Sequence, residues 1–182
     1  MSDDQDSLAR HLTEIIARLR VALGFVCGVL VFWLARPTAG TIAAGLVIAV
    51  VGEWIRVWAA GHLNKSREVT RSGPYRFVAH PLYLGSSVIG AGLAVGSGSL
   101  TVVVIVAAYL TITLTAAIRS EEAFLRRVFS DQYEEYRHTG IVDTRRRFSL
   151  ARAIANREHR AVLGLAVALL LMAWKATYNG AF

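Results

Sequence analysis

Between Ser72 and Gly85 the chain reads Ser-Gly-Pro-Tyr-Arg-Phe-Val-Ala-His-Pro-Leu-Tyr-Leu-Gly, crowding turn formers, aromatics, a histidine and an arginine into one stretch. Gly73-Pro74 is a turn signal. His80-Pro81 puts proline at the first position of a helix, with His80 at or near its cap. Helix N-termini carry free N–H groups and positive potential, so this end suits an anionic group such as a carboxylate or phosphate. His80 is either a hydrogen-bonding group for a ligand or a plain capping histidine. Further along, Glu121 and Glu122 stand next to Arg119, with Phe129, Tyr133 and Tyr136 recurring at helical spacing. Such an acidic pair is either a solvated helix segment or, beside His80, Tyr75 and Tyr83, a holder for the amine and hydroxyl groups of a cationic ligand.

The elements that must position these residues are apolar. Hydrophobic residues make up 54% of the 182, and mean hydropathy is +0.45, too oily for an ordinary soluble domain. Apolar runs at 19–35, 39–60, 82–96, 100–118 and 161–175 read as about five transmembrane helices. The expected fold is an all-α, polytopic membrane bundle forming one domain over 1–182. Residues 1–18 read as an amphipathic lead-in, and the first run as a retained helix rather than a cleaved leader. Cys27, alone in an apolar run, excludes a disulfide within the chain, and no metal is assigned to the site. Gly92 and Gly96, and Ser86 and Gly90, give small-xxx-small spacings that let a neighbouring helix approach closely. Gly96-Ser97-Gly98-Ser99 is a hairpin between antiparallel spans. Glu53 and Arg56 share a face of the second span and either pair with each other or belong to a site.

Charge supplies an orientation. With a cytoplasmic N-terminus, 18 of the 20 lysines and arginines fall on the inner side, leaving Arg36 and Lys175 outside. The positive-inside rule accounts for this asymmetry, so the net charge of +7 calls for no nucleic acid. The Ser72–Gly85 stretch and the polar block 119–160 are thereby placed on one cytoplasmic face, with the C-terminus opposite. Residue physics reaches a polar ligand site at the mouth of a helical bundle and stops there.

The pattern Gly-Pro-Tyr-Arg-x-x-x-His-Pro-x-Tyr-x-Gly at 73–85, followed after a hydrophobic hairpin by Glu121-Glu122 and Phe129-Ser-Asp-Gln-Tyr-x-x-Tyr136, resembles the isoprenylcysteine carboxyl methyltransferase family. Related phospholipid methyltransferases share much of it. The resemblance implies S-adenosylmethionine as cofactor and a lipophilic acceptor that enters from the bilayer. It implies cofactor contacts from Tyr75, His80, Pro81, Leu82, Tyr83 and Glu121, with backbone contributions from Arg67, Glu68, Val69 and Thr70. Leu84 and Gly85 would shape the packing there, and His62 and Asn64 lie near another polar contact of the family.

Two departures bear on the acceptor. The family places arginine immediately before His-Pro, where Ala79 stands here, leaving Arg71 or Arg76 to supply the charge. The arginine that handles a substrate carboxylate in eukaryotic members would fall on Ala117, with Arg119 the nearest substitute. Methyl transfer from a sulfonium rests on positioning and electrostatics. An ionised carboxylate acceptor needs no base, whereas an amine or phenol would draw on His80 or Glu122. The competing expectations are an NADPH-dependent reductase-like protein and a small membrane transporter or scaffold.

Overall fold

The structure, a computed structural model, describes residues 15, 19, 22–64, 68–139 and 146–178, with 130–139 described by backbone alone. Among them the regular elements are helical: α1 (Ala22–Leu34), α2 (Ala39–His62), a 3-10 turn (Gly73–Arg76), α3 (Pro81–Gly96), α4 (Leu100–Thr139), α5 (Leu150–Ala155) and α6 (Glu158–Tyr178). Three segments, Ala39–His62, Leu100–Phe129 and Glu158–Tyr178, are long and apolar enough to cross a membrane. The other two expected spans coincide with the shorter apolar helices α1 and α3. The lead-in expected over 1–18 lies almost wholly outside the described residues.

Glycine sets the central contact, between α2 and α3. A Cβ on Gly52 would lie 2.7 Å from Ile89 N and 2.8 Å from Gly85 O. One on Gly92 would lie 2.6 Å from both Ala49 N and Gly45 O. The two backbones therefore touch, as small residues allow inside membranes. The expected spacing on α3 is used this way by Gly92 and Gly96, whose partners on α2 are Gly45 and Ala49, while Gly52 meets Gly85 and Ile89. Gly90 faces Leu110 of α4 instead. Val31, Ala94, Val102, Val106 and Met172 then gather α1, α3, α4 and α6 into one apolar core.

One end of the bundle is tied by backbone groups. Thr38 caps α2 through a reciprocal box with Thr41, whose hydroxyl also donates to Gly96 O at 3.3 Å. Arg36 N–H donates to Ser97 O at 2.7 Å, across to the α3–α4 hairpin. Lys175 Nζ donates to Phe32 O and, at 2.7 Å, to Trp33 O, satisfying carbonyls at the end of α1 from the last turn of α6. The ends of α1, α3 and α6 thus share a side with the start of α2, the parity expected of alternating spans.

At the opposite end the residues before and within α5 cross the terminus of α2. Arg152 Nη1 donates to Gly61 O at 2.7 Å, and Ser149 N–H donates to the same carbonyl at 3.2 Å. Asn156 Nδ2 donates to Ala60 O and Leu63 O, each at 2.9 Å. A helix of 24 residues ends with orphan carbonyls and negative potential, which this segment answers with hydrogen-bond donors and a guanidinium. The double substitution Arg152→Ala/Asn156→Ala is expected to cost about 2–4 kcal/mol. Thermal unfolding in detergent checks this, and a midpoint unchanged from the parent would refute the capping role.

Candidate active site

The turn at Gly73–Arg76 lies back against the capped end of α2. His62 is buried, with Nδ1 at 3.0 Å from Trp58 O, and its ring meets that of Phe148 at 6.1 Å between centroids. Gly73 lies on the same ring: its φ is +59°, and a Cβ there would sit 2.5 Å from His62 Cγ. Only glycine takes both the left-handed backbone and the close approach without strain. The turn that follows, Gly73–Arg76, buries Pro74 and Tyr75. Glu68 is ion-paired with Arg146, and Thr70 Oγ1 accepts the Asn64 N–H at 3.3 Å. His62, Asn64, Glu68 and Thr70 are thus tied together at the end of α2, directly or through Arg146. Val69 is half-buried beside them, and Arg67 lies outside the described residues.

His80 is the N-cap of α3, followed by buried Pro81 at the first helical position. Its side chain makes no cap bond and turns instead toward α4. His80 Nε2 stands 3.3 Å from Glu122 Oε1, and Nδ1 stands 4.0 Å from Glu121 Oε2. One tautomer donates from Nε2 to Glu122, and an imidazolium would face a carboxylate at each nitrogen. Tyr83, one turn into α3, brings its ring to 5.8 Å from the imidazole. The juxtaposition follows from topology: α3 and α4 are joined by a tight hairpin, so the start of one lies beside the part of the other that bears Glu121 and Glu122. α4 continues as one helix through the two glutamates, with non-helical angles only at Phe129 (φ −123°, ψ 20°).

Below this cluster an open cleft of about 620 Å³ runs between α3 and α4. His80, Tyr83 and Ser87 line one wall, and Leu110, Thr111 and Leu114 are among those lining the other. The lining is mostly apolar, with His80 and Tyr83 the polar groups at the end nearest the two glutamates. Leu82 is half-buried, Leu84 is exposed, and Gly85 packs against Arg56. Arg119 is exposed and makes no hydrogen bond or ion pair among the described residues. Of the expected site residues, the structure gathers His80, Tyr83, Glu121 and Glu122, while the contacts of Glu68 and Thr70 run to Arg146 and to the end of α2. The side chains of Tyr133 and Tyr136 lie outside the described set.

Arg56 departs from expectation. Its Nε donates to Glu158 Oε1 at 2.6 Å, so its partner is the first residue of α6 rather than Glu53 one turn away. Neither Glu53 oxygen finds a hydrogen-bond partner among the described residues, although the residue is only 9% exposed. Glu158 went unsingled in the sequence because it reads as one more charge in a polar block. An acid at the first position of an apolar helix is the signal that pointed to it.

The arrangement can hold a molecule with a cationic or hydroxyl-bearing head at the mouth and an apolar body in the cleft. Comparison with known proteins points to a membrane methyltransferase family. The sequence model of the family described as phospholipid methyltransferase matches residues 19–132. The chain is 32% identical over 106 residues to the nickel-cobalt-cadmium resistance protein NccN of Alcaligenes xylosoxydans xylosoxydans, a match covering 57% of this chain and 48% of that protein. It is also 32% identical over 147 residues to the cobalt-zinc-cadmium resistance protein CzcN of Cupriavidus metallidurans, covering 72% of this chain and 67% of the relative. The chain thus spans about half the length of the first and two thirds of the second. No solved structure matches.

Proposed function

The chain belongs to the phospholipid methyltransferase family, and from that premise we propose that it moves a methyl group from S-adenosylmethionine to a lipid-embedded acceptor at the His80 end of the bundle. The observation that carries this reading is the meeting of His80 with Glu121 and Glu122 above an apolar cleft. That donor set fits the cofactor, whose ammonium and ribose hydroxyls call for carboxylates and whose sulfonium suits an aromatic face.

S-adenosylmethionine, when bound, supplies an electrophilic methyl on a sulfonium. Glu121, Tyr75 and the His80–Tyr83 turn would hold it, with contributions from the backbone of 67–70. The chemistry it would supply is transfer of that methyl to the acceptor heteroatom, with the thioether as the leaving group. For a carboxylate acceptor, such as that of a prenylated cysteine-like amphiphile, Arg119 would pair with the head group and no proton moves. For an amine, His80 or Glu122 would take the proton. The acceptor's tail stays in lipid while its head reaches the mouth, which belongs on the cytoplasmic face with the N-terminus there and the C-terminus opposite.

A second reading, a polar path for a cation, draws on the unpaired Glu53 and on the metal resistance in the relatives' names. Arg56 argues against it, since a guanidinium in the middle of the path repels a divalent ion. Titration of the detergent-solubilised protein with S-adenosylhomocysteine is expected to give saturable binding, and its absence in folded protein would sink the proposal. Incubation with radiolabelled S-adenosylmethionine and a total lipid extract then identifies the acceptor from the labelled product.

A further inference from the structure

Arg56 is an ionisable side chain inside the helical layer that the chemistry above leaves unused. It lies about 9 Å short of the C-terminal end of α2, six residues at 1.5 Å each. Its guanidinium joins three helices. Nε donates to Glu158 Oε1 on α6 at 2.6 Å, and Nη1 donates to Ser86 Oγ on α3 at 2.5 Å. Ser86 passes the link on, since its hydroxyl donates to Leu82 O at 2.9 Å. Leu82 is in the first turn of α3, two residues after His80. Gly85 makes room for the reach, because a Cβ there would lie 2.5 Å from Arg56 Cγ.

We infer that Arg56 is a positioning residue for the site: through Ser86 it fixes the first turn of α3, and so sets where His80 and Tyr83 stand against Glu122 on α4. The inference rests on the reading of that cluster as the site. Glu158, 5% exposed, holds the guanidinium from the opposite side, so that the fork cannot turn away. Arginine suits the task because its rigid fork spans two acceptors at once, whereas a lysine ammonium is a point charge that must choose. Glu53 is a reserve acceptor one turn earlier on the same helix, its oxygens without a hydrogen-bond partner among the described residues. Without Glu158, Arg56 has Glu53 to turn to, which ties it to its own helix and releases α3.

The test uses the full chain in detergent with Cys27→Ser, carrying spin labels at Phe77→Cys and Phe124→Cys, whose side chains are exposed on the approach to α3 and on α4. Pulsed electron resonance is expected to give one narrow distance. Arg56→Lys and Ser86→Ala should broaden it at least about twofold, while Ser86→Thr, which keeps the hydroxyl, should restore it. Affinity for S-adenosylhomocysteine should fall about tenfold in Arg56→Lys, and return in Ser86→Thr relative to Ser86→Ala. A distribution unchanged in folded Arg56→Lys and in Ser86→Ala overturns the inference, whatever the protein binds. Broadening in a protein whose unmutated form binds no S-adenosylhomocysteine upholds the positioning of α3 and overturns the functional reading instead.

Discussion

His80→Ala is expected to lower kcat/KM for methyl transfer by about 100-fold or more while leaving the helical bundle folded. The side chain is the contact that bridges α3 to both acids of α4, with Nε2 at 3.3 Å from Glu122 and Nδ1 at 4.0 Å from Glu121. Without it the link from α3 to the two carboxylates is lost. Their placement for a cofactor's cationic head then relaxes. His80→Gln keeps one donor near Glu122 and should recover part of the loss. Initial-rate kinetics on both variants, with the acceptor found from the lipid-extract labelling, checks this. Alanine at wild-type rates would remove His80 from the site. If the acceptor is an amine, the loss should appear in kcat as well as KM, since His80 would then also be a candidate for taking its proton.

Gly92→Leu should yield little or no monodisperse protein. A Cβ at this position already comes 2.6 Å from Ala49 N and from Gly45 O, so the added side chain meets backbone and cannot be absorbed by a rotamer change. Overpacking a core costs about 1–3 kcal/mol where neighbours can shift. Here both neighbours are helix backbones, and separating them also parts Gly52 from Gly85 and disturbs the seat of Arg56. Gly164→Leu is the matched control, because a Cβ there meets nothing within 4 Å. Size-exclusion profiles and unfolding midpoints of the pair decide it. Equal behaviour of the two variants would show that the α2–α3 contact tolerates bulk.

Much of the site was readable because its parts are set by parity. Two polar segments flanking a pair of spans joined by Gly96-Ser97-Gly98-Ser99 must return to one side, which brings His80 and the Glu121-Glu122 pair to a common face. Proline at 81 likewise fixed where α3 begins. What escaped the sequence has a common physical cause, namely contacts between residues far apart in the chain. Arg56 has an acid three residues away, yet its partner is Glu158, and no local rule ranks the second above the first. Arg152 and Asn156 fall unremarked in the polar block 119–160, though they serve as donors to the end of α2. The small residues of α3 announced a close contact, but only the structure names Gly45 and Gly52 as the other half.

The unbroken run of α4 from Leu100 through Glu122 makes it a ruler for the chemistry. Each residue advances 1.5 Å and turns about 100°, so the depth and bearing of the two carboxylates are counted from the hairpin rather than set by a loop. Consecutive acids point about 100° apart, and a ring with a nitrogen on each side can address both bearings at once. A one-residue deletion anywhere between the hairpin and Glu121 would swing both acids by that angle and draw them inward together. Change beyond Phe129 would leave the count intact. Phase along a single helix, more than any individual contact, keeps this mouth in focus.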